Sequence, residues 1–183
     1  MLQMGRKHRY CSRKTHWTCI NKLFKTHATR NRCVNVDECC FEIKKNALNT
    51  LIGYAQHDGN ELCGVVTGSQ IGESKFRISN VSPPCVVKNG HYGCELDATR
   101  GNEFIEQDYE VSGQTRFYIG EWHTHPEQNP HPSQTDFNSI IKSFNSAQLS
   151  VPLLIMIIVG TEHLYFNVYD GGHFKIIEPE IVE

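Results

Sequence analysis

No apolar run in this chain approaches the ~20 residues that a membrane-spanning helix needs. The longest, Val151 to Val159, is rich in β-branched residues and has the length of a buried strand. No membrane association is therefore expected. The start of the chain lacks the uninterrupted apolar stretch of a secretory signal, because Lys14, His16, Lys22 and Lys25 break every candidate. A cytoplasmic location is the expectation. The eight cysteines follow no disulfide-framework spacing and include the adjacent pair Cys39 and Cys40, so they are read as reduced thiols. Internal repeats and low-complexity segments are also missing.

Acidic residues are absent from residues 1–33, which hold nine of the 18 Lys and Arg and none of the 20 Asp and Glu. The remainder is correspondingly acidic. With little hydrophobic periodicity, residues 1–33 read as a basic, poorly ordered extension, and residues 34–183 as one domain. The arm is the one segment suited to nucleic acid, since the acidic body repels phosphate. Cys11, His16, Cys19, His27 and Cys33 are of zinc-ligand type and suggest a zinc site in the arm, but no two of the cysteines stand at the close C-x2-4-C spacing.

Periodicity in the body predicts a helix over Phe41 to His57, stopped by Asp58-Gly59. Strands at Leu62 to Thr67 and Lys75 to Val81 should pair as a hairpin around a turn at Gly68 to Gly72. An irregular stretch rich in Gly and Cys leads to a helix over Asp97 to Val111 and a buried strand from Arg116 to Trp122. A proline-bearing loop precedes a helix over Ser133 to Phe144. Three strands follow, at Leu153 to Val159, Leu164 to Tyr169 and His173 to Ile177. The sum is an α/β domain, a mixed β-sheet flanked by helices.

The chemically informative segment runs Glu121-Trp122-His123-Thr124-His125-Pro126, then a loop, then Ser133-Gln134-Thr135-Asp136. Histidines two apart on a strand share a face. Asp136 near a helix start can fold back toward the strand end. Two nitrogens and one oxygen leave a fourth position for water or substrate, the ligand pattern of catalytic zinc. A proton acceptor must accompany such a site: Glu61 before the first strand is the candidate general base, and Glu121 competes by its nearness in sequence. Small residues at Gly64 and Gly68 permit close packing there. Each piece alone has an ordinary explanation, with Ser133 as a helix cap and Asp136 favoured by the helix dipole. The whole pattern at a preset spacing arises by chance about once in a thousand such chains.

His123-x-His125, seven residues, Ser133-x-x-Asp136, with Glu61-x-Cys63-Gly64 upstream, resembles the full motif of the JAMM (MPN+, JAB) metalloproteases, over roughly residues 41–177. The resemblance implies a JAB/MPN fold, similar to that of cytidine deaminases. It further implies Zn2+ on His123, His125 and Asp136, Glu61 as catalytic base and acid, and Ser133 as a donor to the oxyanion. The run from Tyr118 to Pro126 is most similar to short bacterial members, some of which act as deconjugating peptidases in anti-phage systems of the CBASS type. The implied substrate is a ubiquitin-like protein or its conjugate. Trimming of a ubiquitin-like sulfur carrier, a DNA-associated protein on the same scaffold, and a zinc-retaining interaction scaffold are the competing readings.

Overall fold

A computed structural model describes residues 35–183. The basic extension and its candidate ligands, Cys11, His16, Cys19, His27 and Cys33, lie outside the described residues. After a 3-10 turn at Val36–Glu38 come β1 (Cys40–Lys44), α1 (Lys45–Ile52), β2 (Cys63–Gly72), β3 (Lys75–Val81), β4 (Val86–Gly90), β5 (Gly93–Leu96) and α2 (Ala98–Val111). Then follow β6 (Phe117–Thr124), α3 (Gln134–Ser146), β7 (Leu154–Val159), β8 (Leu164–Tyr169), β9 (Phe174–Ile176) and β10 (Glu180–Val182). Eight strands form one mixed sheet in the order β10-β1-β3-β2-β6-β7-β8-β9, and β4-β5 make a separate two-stranded sheet. The expected α/β class is the observed one.

The apolar run of β7 is explained by burial on both faces. Ile155, Ile157 and Val159 pack with Ala47 and Leu51 of α1, while Leu154, Met156 and Ile158 pack with Ile105 of α2 and Ile140 of α3. All six side chains of β7 are essentially inaccessible. At ~1.5–3 kcal/mol per buried aliphatic side chain, this strand and its neighbours dominate the stabilisation.

Four expectations need correction. The helix expected from Phe41 begins only at Lys45. Its first residues instead form β1, parallel to both β3 and β10. Phe41 and Ile43, two apart, are buried on this strand, and Glu42 between them is held by Lys75 and Arg77 of β3. Long-range pairing here overrides local helical spacing. The expected turn at Gly68 to Gly72 is strand, because β2 continues to Gly72 and the chain reverses at Glu73-Ser74. The irregular Gly- and Cys-rich stretch is the β4-β5 hairpin. Cys63 and Cys94 are not free thiols: they form a disulfide across a Cα–Cα distance of 6.1 Å, within the range such bonds span. Among the described residues Cys39, Cys40 and Cys85 are free.

Candidate metal centre

The β2–β6 ladder builds the site. Cys63 stands opposite His123 and Val66 opposite Gly120, but Thr67 stands opposite Tyr118, so Ile119 is an extra residue on β6. Such a bulge reverses the alternation of faces beyond it. Tyr118 and Glu121, three apart, consequently share a face: the Tyr118 hydroxyl donates to Glu121 Oε1 at 2.8 Å, and Ser143 Oγ of α3 donates to the same oxygen at 2.8 Å. His123, two residues on, faces α3 as well. Without the bulge it would join Ile119 against the α1 layer.

Glycines allow the close approach behind these side chains. A Cβ on Gly64 would collide with Ser82 Oγ and lie 2.5 Å from Trp122 Nε1. Trp122 is fully buried and stacks on Tyr54, ring centroids 4.6 Å apart, forming the wall behind the histidines. Beyond β6, the His125 amide donates to Val159 O at 2.9 Å, and the proline-bearing loop is tied down where Thr161 N donates to Glu127 O at 2.7 Å.

At the start of α3 a capping box supplies the third candidate ligand. Ser133 Oγ accepts from the Asp136 amide at 3.3 Å, and Asp136 Oδ2 accepts from the Ser133 amide at 2.7 Å. These two bonds satisfy otherwise unpaired helix donors and orient the carboxylate. The ordinary role of Ser133 and Asp136 as a helix start is thus what aims Asp136 at the strand.

His123 Nε2 lies 3.4 Å from Asp136 Oδ1, His125 Nε2 lies 3.7 Å from Asp136 Oδ2, and Glu61 Oε1 is 4.0 Å from His125 Nε2. Donor atoms of His123, His125 and Asp136 all fall within 4.8 Å of one another. Ligands ~2.1 Å from a tetrahedral centre stand about 3.4 Å apart, so the spacing suits a small cation. His123 Nε2 is moreover buried with no hydrogen-bond partner, a costly arrangement for a polar atom unless something else satisfies it. Burial holds His123 down to about 4, only partly offset by Asp136, and this keeps the imidazole neutral and its lone pair available at physiological pH. The residues fit a metal.

Burial, and then the charges of Asp136 and Glu127, push the Glu61 carboxyl up to about 7. Glu121 is also raised by burial, but its carboxylate already accepts two hydroxyls in the wall of the site. Of the two candidate bases, Glu61 is the one beside His125. A cavity of about 130 Å³ opens between the β4-β5 hairpin and α3, reaching Glu61, Cys94, Trp122, His123, Asp136 and Met156. Sequence reasoning missed Cys94 and the whole hairpin wall; the cysteine pair was visible, but nothing local joined its members.

The sequence profile described as prokaryotic homologs of the JAB domain matches residues 44–171. The chain belongs to this prokaryotic JAB family. A CD-NTase/cGAS isopeptidase of Vibrio cholerae is 28% identical over 134 residues, 71% of this chain and 82% of that protein. A probable metalloprotease of Sinorhizobium fredii is 41% identical over 63 residues, 32% of this chain and 38% of that protein. The solution structure of a Desulfitobacterium hafniense protein superposes with a TM-score of 0.56 at 18% identity, covering 78% of this chain and 93% of that one; this shows a shared fold alone. Family and relatives together support peptidase or isopeptidase activity and a metal cofactor. No helix among the described residues is long and apolar enough to cross a membrane.

Proposed function

We propose that this chain is a zinc-dependent metallo-(iso)peptidase of the cytoplasm that cleaves the bond following the C-terminus of a ubiquitin-like protein or its conjugate. The catalytic domain comprises residues 34–183, with the basic arm outside it. The observation that carries the reading is the buried, unpartnered His123 nitrogen grouped with His125 and Asp136, with the Glu61 carboxyl 4.0 Å from His125 Nε2. The isopeptidase named for CD-NTase and cGAS among the relatives supports an isopeptide substrate; a place in an anti-phage system is the reading carried by the motif's resemblance to short bacterial members.

His123 Nε2, His125 Nε2 and an oxygen of Asp136 would hold the metal. When bound, zinc polarises a carbonyl and makes water acidic enough to supply a nucleophile at neutral pH. Glu61 takes the proton from the attacking water and returns it to the departing amine. A carboxyl pushed up to about 7 is matched to both transfers, because general catalysis is most efficient with a pKa near the working pH. Ser133 uses an oxygen lone pair in the helix cap, which leaves its O–H to donate to the developing oxyanion. The β4-β5 hairpin and α3 bound the cavity in which the substrate's extended tail would lie.

The test is zinc content and cleavage of a ubiquitin-like protein fused through its C-terminus to a reporter, for wild type and Glu61→Gln. One equivalent of zinc in both, with turnover at least ~10²-fold lower in the variant, is expected. Lack of zinc in the wild type overturns the reading. The sulfur-carrier alternative shares every residue of the site and differs only in which fusion is cut. A DNA-associated role rests on residues 1–33 alone.

A further inference from the structure

Glu61 lies outside every regular element, between Asn60 and the first residues of β2, yet its backbone is held on all sides. Its amide donates to Gly90 O at 3.0 Å. Its carbonyl accepts from Asn89 Nδ2 at 2.9 Å. The next amide, Leu62 N, donates to Thr124 Oγ1 at 2.9 Å, and Thr124 N donates back to Leu62 O at 2.9 Å. Thr124 is the residue between the two histidines, so one side of Glu61 is tied to the ligand strand. The other side is tied to the β4-β5 hairpin.

That hairpin stands apart from the main sheet, and its tip projects into solvent, with Tyr92 99% exposed. Within it Asn89 pairs directly with Cys94, and Cys94 is bonded to Cys63, two residues beyond Glu61. The path from the Glu61 carbonyl through Asn89, across the ladder to Cys94, through the disulfide to Cys63 and back along the chain is a closed ring. One of its links is a side-chain hydrogen bond and another is a reducible covalent bond.

We propose that Asn89 is a positioning residue for Glu61 and that the Cys63–Cys94 bond is a redox latch on the same ring, so that reduction slows turnover by loosening the base while leaving the metal ligands in place. The proposal rests on the peptidase reading above. Disulfides in reducing compartments are characteristically transient, catalytic or redox-sensing rather than structural. Both cysteines line the cavity, and Cys94 is the more exposed of the two, half-buried where Cys63 is buried. A dithiol reductant attacks Cys94 as a thiolate, expels the Cys63 thiolate, and is released from the mixed disulfide as its own cyclic disulfide. Two electrons and two protons pass to the protein, which ends with two thiols. Displacing a catalytic group by ~1 Å can cost about 10²-fold in rate, so partial loosening should be read as a kcat effect.

The experiment uses the full zinc-loaded chain. Wild type, Asn89→Leu, Asn89→Gln and Cys94→Ser are assayed on the fusion substrate with and without a water-soluble phosphine, which reduces the disulfide while taking oxygen from water to become phosphine oxide. Zinc content and amide hydrogen exchange over residues 61–63 are measured on the same samples. Expected are a fall in kcat of about tenfold or more for Asn89→Leu, with KM within about twofold and zinc retained, recovery in Asn89→Gln, and faster exchange at the affected amides. Phosphine should lower kcat and speed exchange in wild type but not in Cys94→Ser. Wild-type kcat and exchange in Asn89→Leu overturn the positioning role, and an equal phosphine response in wild type and Cys94→Ser overturns the latch. Should Asn89→Leu fail to fold, the phosphine effect on wild-type exchange decides. If no fusion is cleaved the peptidase reading fails by itself, and the exchange data still judge the ring: unchanged protection overturns it.

Discussion

The two ends of the β2–β6 ladder each bury a carboxylate, and they treat it in opposite ways. At the Thr67–Tyr118 end, Asp108 of α2 accepts from Thr67 Oγ1 at 2.6 Å, Asn80 Nδ2 at 3.0 Å, Arg116 Nε at 2.9 Å and Arg116 Nη2 at 2.6 Å. Burial would raise this carboxyl, but the hydrogen bonds from Arg116, Thr67 and Asn80 outweigh it and hold it below its ordinary value. At the Cys63–His123 end, Glu61 is raised, His123 is lowered, and imidazole nitrogens are left without partners. Both carboxylates are buried against the same ladder, and only Asp108 is fully satisfied. Evolution of a fold tolerates an unsatisfied buried cluster where something outside the polypeptide completes it, which is why the second end reads as a site and the first as a brace.

Substitution should separate the two ends most widely. His123→Ala is expected to lower zinc affinity by more than about 100-fold, since even the supporting partners of a ligand are worth 10–100-fold. The metal-free variant should unfold within about 1 kcal/mol of wild type, because the nitrogen removed makes no hydrogen bond in the metal-free chain. Competition titration and denaturant unfolding read the two quantities. Asp108→Ala should do the reverse. It strands Arg116, whose side chain is only 23% exposed, and breaking such a pair costs about 3 kcal/mol with zinc affinity unchanged. If Asp108→Ala removes zinc, or His123→Ala unfolds the protein, the contrast between brace and site fails.

Ser133, a helix cap in the structure and a proposed donor to the oxyanion, sharpens the contrast. Ser133→Ala should lose about 1 kcal/mol of stability through the cap and slow turnover about 10²-fold through the missing donor. Ser133→Asn, which still caps, should recover the stability in thermal unfolding and leave the turnover defect. Recovery of both in Ser133→Asn would assign the residue to capping alone.

The smallest effect lies in pH. His123, lowered from 6.5 to about 4, binds its proton more readily in the unfolded chain, so it makes metal-free stability rise with pH between those values. Glu61, raised from 4.5 to about 7, binds its proton more readily in the folded chain, so it makes stability fall as pH rises through that window. The two oppose each other over most of their range. Denaturant midpoints of the metal-free wild type should therefore change little there, whereas those of Glu61→Gln should rise with pH up to about 6.5. A rise of equal slope in both proteins would show that Glu61 is not perturbed as described.

Much of this was legible in advance. α2 and α3 came within one or two residues of their expected bounds, because Asp97 and Ser133 are caps whose hydrogen bonds reach only two or three residues along the chain. β7 was legible from its apolar run. β1 was not: Ile43, Ala47 and Leu51 recur every four residues and extend the helical pattern backwards, and only the neighbouring β3 and β10 decide that Phe41 and Ile43 belong to a strand. β4 and β5 were hidden because Gly90 and Gly93 weaken strand propensity and their ladder lies outside the main sheet.

The sequence by itself determined the candidate ligand set. A histidine pair at strand spacing and a Ser-x-x-Asp helix start are local patterns, set by side-chain period and capping within a few residues. Tertiary structure alone decided which face of the sheet carries them, through the bulge at Ile119; which glutamate stands at the site, through the β2–β6 pairing that brings Glu61 to His125; and that Cys63 meets Cys94 across 31 residues. Each of these depends on the register between segments distant in the chain, and register is fixed by how the sheet and its two apolar layers pack together rather than by the residues of either segment alone.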